Sequence, residues 1–224
     1  MRQRQERCSC GPYSFRGFLM TSRALLRLSA LSLALIACTK SDGPATDSAG
    51  ALDTTGAATN QPTATMPFDL TSSAFTANGA IPAKYTCEGT DISPPLAWSG
   101  GPPSARSYAL IVDDPDAPDP AAPKMVYVHW VVYNIPAGTT SFAENAAKTG
   151  LPSGALHGSN DWKRQTYGGP CPPIGRHRYF HKLYALDTVL TGLQNPTKAQ
   201  LEAAMTGHVI GRTELIGTYQ KAKP

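Results

Sequence analysis

The 224-residue chain predicts a mostly β fold, an antiparallel body with one late helix, and three observations carry that expectation. The 20 prolines and 20 glycines are more than a helical bundle tolerates, because proline removes a backbone donor and glycine weakens a helix. Several runs of β-branched and aromatic residues are bounded by Pro, Gly or Asp. No long helical pattern alternates with those runs, as a parallel α/β sheet would require. A hydrophobic fraction of 41% against 16% charged residues supplies material for a sizeable core and excludes global disorder.

Taken in order, residues 106–112 (RSYALIV), 125–133 (MVYVHWVVY) and 178–186 (RYFHKLYAL) each read as a strand. In the second run, alternation puts Tyr127, His129, Val131 and Tyr133 on one face and Val128, Trp130 and Val132 on the other. Both faces are largely apolar, which predicts a central strand covered on both sides. A helix follows: Thr197 and Gln200 have capping-box spacing, Leu201 and Met205 share a face, and Gly207 can close the end. Residues 208–219 (HVIGRTELIGTY) return to strand composition, and no internal repeat is visible.

The formal charge of +4 belongs to the beginning of the chain. Arg2, Arg4, Arg7, Arg16, Arg23 and Arg27 precede Cys38 with only Glu6 opposing, whereas residues 39–224 carry 14 Lys plus Arg against 15 Asp plus Glu. Once the leader is removed, a nucleic-acid partner has no electrostatic motive. Residues 25–37 (LLRLSALSLALIA) form an apolar run too short for a membrane span, which needs roughly 20 residues. Its ending, Leu35-Ile36-Ala37-Cys38, resembles the lipobox of bacterial lipoproteins, in which the cysteine thiol receives a diacylglycerol; the alternative is an ordinary signal peptide with an incidental cysteine. Met20 offers a neater start, and on that reading Cys8 and Cys10 lie outside the protein and form no metal motif. Residues 39–66 hold almost no large apolar side chains and read as a polar, disordered tether. The expected organisation is a leader over 1–38, a tether over 39–66 and one domain over 67–224, exported and membrane-anchored as a lipoprotein at the periplasmic face of the cell envelope.

Three segments could carry chemistry. Residues 113–118 (DDPDAP) predict a stiff acidic turn after a strand, His129 lies inside an apolar strand, and residues 168–175 (GGPCPPIG) form a rigid loop opening into His177-Arg178-Tyr179. Singly, each has a plain structural explanation: a solvated turn, a hydrogen-bonded core histidine, a loop. In this order, with ISPPLAW (92–98) upstream and GHVIGRTELIGTY (207–219) at the end, they resemble the phosphatidylethanolamine-binding (Raf kinase inhibitor) family in its bacterial branch, over about residues 68–220.

That resemblance implies a β-sandwich with a large central antiparallel sheet, a smaller second sheet and a late C-terminal helix. It also implies a pocket for phosphate-like or carboxylate anions and a binding or inhibitory role toward phospholipid headgroups, kinases or proteases, without catalysis, cofactor or metal. Carried over by position, the ligand-binding residues are Asp114, Asp116, His129, Pro172 (with Pro173), His177 and Tyr179. Strand alternation independently puts His177 and Tyr179 on one side and Arg178 on the other, where it can pair with one of the acids. Tyr127-Val128 stands before His129 where eukaryotic members carry Trp-His, which leaves one histidine fewer.

The chemistry expected is an anion site without lysine: two histidines offering ring N–H groups, a tyrosine hydroxyl and loop amides, with Asp114 orienting a histidine or holding an amine. The competing reading is a metal-dependent or other hydrolase using Asp114, Asp116, His129 and His177, for which HExxH and GxSxG motifs are absent. An inhibitor of proteases or kinases carries no short motif. Cys87 and Cys171 are either a disulfide, which an exported compartment permits, or two buried thiols. His157, His181 and His208 receive no role.

Overall fold

The computed structural model describes residues 67–222; the leader, Met20, Cys38 with its expected lipidation, and the tether lie outside the described residues. Along the chain come β1 (Asp69–Thr71), β2 (Leu96–Ser99), β3 (Ser107–Ala117), β4 (Met125–Pro136), β5 (Ser141–Phe142), α1 (Ala146–Thr149), β6 (Leu156–His157), β7 (His177–Leu186), α2 (Lys198–Met205) and β8 (Val209–Tyr219). The strands build two antiparallel sheets, a small one in the order β1-β2-β5 and a large one in the order β6-β4-β3-β7-β8. The mostly β sandwich expected from the sequence is therefore present.

The large sheet is covered on both faces. On one, Leu110, Val112, Trp130, Val132, Tyr179 and Leu183 pack with Leu70, Leu96, Trp98 and Phe142 of the small sheet. On the other, Ala109, Ile111, Val131, Tyr133 and Leu186 meet Leu201 and Met205 of α2. Full burial of side chains of this size contributes about 1.5–3 kcal/mol each. The helix begins where its cap predicts: Thr197 Oγ1 accepts from the Gln200 amide and Gln200 Oε1 accepts from the Thr197 amide. Gly207, two residues past Met205, has φ +81°, the left-handed region that glycine enters freely.

Two expectations need correcting. Strict alternation along β4 fails at His129. Val112 pairs with Trp130 while Asp113 pairs with Val128, so His129 is an extra residue, a β-bulge. Consequently His129 and Trp130 both belong to the side of the small sheet, while Val128 joins Val131 and Tyr133 beneath α2. Residues 113–117 likewise do not leave the strand as a turn. β3 runs on to Ala117, and a second bulge between Asp114 and Ala117 accommodates Pro115, which cannot donate to a ladder.

Candidate functional site

The end of β3, the beginning of β4 and the beginning of β7 converge around a cavity of about 330 Å³. Asp114, Ala117 and Pro118 supply one wall, Met125, Tyr127 and His129 a second, and Trp162, Cys171, Pro172, Pro173 and His177 the remainder. Both bulges lie here. The first turns His129 toward the cavity, and the second leaves Asp114 and Asp116 on different duties.

His129 is buried, and its Nδ1–H donates to the Gly168 carbonyl at 2.8 Å. The neutral ring therefore keeps its lone pair on Nε2, which has no protein partner among the described residues and lies on the cavity side. The rings of Tyr127, Trp162 and Tyr179 stand edge-on around it, with centroids 5.2–5.6 Å away. Burial pushes its pKa below 6.5, against the opposing pull of the Gly168 bond and the charge of Asp114. The ring is then neutral at pH 7.

The loop that holds His129 is itself tied down. The Gly168 N–H in turn donates to the His129 carbonyl, and the missing side chain of Gly168 makes room for Trp162, whose ring would lie 2.5 Å from a Cβ there. Gly169 donates to Asp91 Oδ1, Tyr167 donates to the Tyr85 carbonyl, and the Cys87 amide donates to the Pro170 carbonyl. Cys87 and Cys171 are joined as a disulfide, with 5.4 Å between their Cα atoms. Of the two states the sequence leaves open, the structure has the bridge, with Cys171 in the cavity wall.

His177 is engaged at both nitrogens. Nε2 faces the Ile174 carbonyl at 2.9 Å, which can only accept, so Nε2 carries a proton; Nδ1 lies 2.7 Å from Asp114 Oδ2. The other Asp114 oxygen accepts from the Asp116 amide. Asp114 thus orients His177, one of the roles expected of it. The expectation of two histidines offering N–H groups to a ligand is corrected: His177 has none to spare, and the open nitrogen belongs to His129.

Asp116 and Tyr179 are displaced from the site as drawn from sequence. The Asp116 carboxylate is clasped by the Arg178 guanidinium, Nε to Oδ2 at 2.9 Å and Nη2 to Oδ1 at 2.7 Å, which holds its pKa below the usual range. This is the ion pair foreseen for Arg178, and it removes Asp116 from the cavity wall. Tyr179 shares the buried face with His177 as alternation predicts, but its hydroxyl is sealed beneath the site without a partner. Burial, with the charge of Asp114 adding to it, raises its pKa far enough that it stays protonated.

Comparison with known proteins decides the family. The description "Phosphatidylethanolamine-binding protein" matches residues 71–220, which include every element that builds the cavity. The chain belongs to the phosphatidylethanolamine-binding protein family. It is 49% identical to a UPF0098 protein of Methanothermobacter thermautotrophicus over 154 residues, 68% of this chain and 99% of that protein. The crystal structure of a putative family homolog from Chlamydia trachomatis is 43% identical, with a TM-score of 0.63, covering 70% of this chain and 99% of the other. Escherichia coli YbcL, described as a new member of the mammalian PEBP family, is 32% identical with a TM-score of 0.63, covering 69% and 99% of the two chains.

Of the family positions carried over by sequence, Asp114, His129, Pro172 and His177 meet around the cavity. Sequence reasoning missed Trp162 and the wall roles of Tyr127 and Met125. A solitary tryptophan in the polar stretch SNDWKRQTY was the available signal for the first. Among the described residues no group of three or more His, Cys, Asp or Glu side chains is arranged to hold a metal ion.

Proposed function

We propose that the cavity binds a small phosphate-bearing headgroup, and that the chain is a lipid-anchored binding protein of the cell envelope. The observation that carries the ligand reading is His129 Nε2, an open ring nitrogen at a cavity whose other imidazole is saturated. An anion reaching it favours the protonated ring, so binding takes up a proton and places N–H⁺ against a phosphate oxygen. Asp114, on another wall of the same cavity, can receive the ammonium of an ethanolamine group, and the apolar Pro172, Pro173 and Met125 suit the methylenes between. Neither lysine nor arginine lines the cavity, so the affinity is modest.

Titrating the purified chain with phosphoethanolamine and with inorganic phosphate tests this. The expected result is saturable binding of phosphoethanolamine that His129→Ala weakens by about tenfold, the order of one charge-assisted hydrogen bond. Undiminished binding in that variant contradicts the assignment. The hydrolase alternative gains no support from the Asp and His placement, since Asp116 is paired with Arg178 and His177 with Asp114. For the anchor, Cys38 at the end of an apolar run and the polar stretch after it are the supporting features. The Cys38→Ser chain should lose both the lipid mass and membrane fractionation; retention of either argues for another means of attachment.

A further inference from the structure

The cavity wall contains one half of the Cys87–Cys171 bridge, and both cysteines are exposed. The two halves are held very differently. Cys87 lies in a turn closed on itself: the Thr86 amide donates to the Ala83 carbonyl, the Gly89 amide to the Thr86 carbonyl and the Thr90 amide to the Lys84 carbonyl. Glu88 fixes the same turn to the end of the chain, accepting from the Tyr219 hydroxyl and the Ala222 amide.

Cys171 opens a segment with few ties of its own. Up to Pro170 the loop is bonded to its surroundings, through Gly168 to His129, Gly169 to Asp91 and the Pro170 carbonyl to the Cys87 amide. Over residues 171–176 the hydrogen bond found among the described residues runs from His177 Nε2 to the Ile174 carbonyl, within the same stretch of chain. Pro172 and Pro173 have no amide to donate. Pro173, Ile174, Gly175 and Arg176 are all exposed, and Gly175 rests against Pro120 in the loop after β3. The disulfide is therefore the tie between the anchored turn and this segment, whose Cys171, Pro172 and Pro173 line the cavity.

We propose that Cys87–Cys171 is a thiol–disulfide exchange site that sets the state of the cavity wall, with a dithiol as its reaction partner. One thiolate of the dithiol attacks a bridge sulfur, the S–S bond breaks, and the other cysteine leaves as a thiolate and takes up a proton. The second thiol of the reductant then displaces the mixed disulfide. Two electrons pass to the bridge, two cysteine thiols form, and the dithiol becomes a disulfide. Exposure lets the reductant reach the sulfurs without unfolding, which is what separates exchangeable bridges from structural ones. The ties up to Pro170 survive, so His129 keeps its bond to Gly168. Residues 171–176 are released, and the wall has to be ordered again when a ligand binds. The oxidised chain is the binding form and the reduced chain the weak one. The proposal rests on the headgroup reading for its ligand, and on the bridge alone for the exchange.

Treating the folded full chain with dithiothreitol tests it. Alkylation and peptide mapping follow Cys87 and Cys171 separately from Cys8, Cys10 and Cys38. The expected result is reduction of the bridge without denaturant, a phosphoethanolamine Kd raised about fivefold, and recovery of both on reoxidation with diamide. Backbone ¹⁵N relaxation should show Ile174, Gly175 and Arg176 gaining fast motion on reduction while Gly168 and Gly169 do not. Cys87→Ser combined with Cys171→Ser should bind as the reduced chain does at every dithiothreitol concentration; the reduction and reoxidation arms need no variant. A bridge that opens only in denaturant, or a reduced chain that binds with unchanged affinity, overturns the proposal. Binding of phosphoethanolamine by neither form removes the headgroup reading alone, and the opening of the bridge with the motion of residues 174–176 then decides the exchange site.

Discussion

On the face of the large sheet that α2 covers, the fully buried carboxylate of Asp113 receives Lys182 at 2.7 and 2.8 Å and Lys198 at 2.6 Å. One residue on, and on the other face, Asp114 receives the His177 ring and the Asp116 amide and lines the cavity. His129 and His181 differ in the same way. His129 keeps an open nitrogen, whereas His181, two residues past Tyr179, is sealed against Phe75 with neither nitrogen partnered. Closed polar groups pin the fold together or cost it stability, while partly open ones are free for a ligand. The distinction lies in what surrounds each group, since the residue types are the same.

The largest expected effect breaks the closed side. Asp113→Ala leaves two partly buried ammonium groups facing each other and should cost about 3 kcal/mol in denaturant unfolding, with headgroup affinity changed little. A matching loss of affinity would mean that the two faces are coupled.

His181 sets the next effect. Burial pushes its pKa down from 6.5 to about 4, so the unfolded chain binds the proton first as the pH falls. The stability that comes from keeping it neutral is complete above about pH 6.5 and is lost as the pH drops toward 4, an effect of about 3 kcal/mol. Unfolding at pH 7 and pH 4.5 should show that slope, and His181→Leu should flatten most of it. An unchanged slope would assign the acid sensitivity elsewhere.

On the open side, ligand affinity should depend on pH with the opposite sense. His129 is neutral in the free protein and gains a proton with the anion, so affinity for glycerophosphoethanolamine, whose phosphodiester does not titrate near neutrality, should rise as the pH falls from 8 to 6. Its steepest slope should approach about tenfold per pH unit, the limit for one proton, and His129→Gln should bind with no such slope. The smallest effect is expected at Arg178→Ala: the guanidinium is more than half exposed, so loss of its fork to Asp116 should cost about 1 kcal/mol and leave the cavity occupied as before.

Much of the frame was legible because periodicity and caps are local. The apolar runs became β3, β4 and β7, and the Thr197–Gln200 box starts α2 where its spacing places it. The bulges were not legible, because an extra residue in one strand is defined only against its partner. Alternation therefore put His129 opposite Trp130, and read 113–118 as a turn. The split between Asp113, Asp114 and Asp116 was hidden for the same reason: Lys182, Lys198, His177 and Arg178 arrive from 62 to 85 residues away. Trp162 comes from a loop with no regular pattern at all, and the pairing of Cys87 with Cys171 spans 84 residues.

The central claim is that His129 Nε2 is the open polar group of the cavity. ¹⁵N spectra of the histidine rings at pH 7, recorded with and without glycerophosphoethanolamine, test it most directly. His129 should begin with Nδ1 protonated and Nε2 bare, and convert to the doubly protonated ring on saturation, while His181 stays neutral throughout. Saturable binding that leaves the His129 Nε2 signal unmoved would contradict the account.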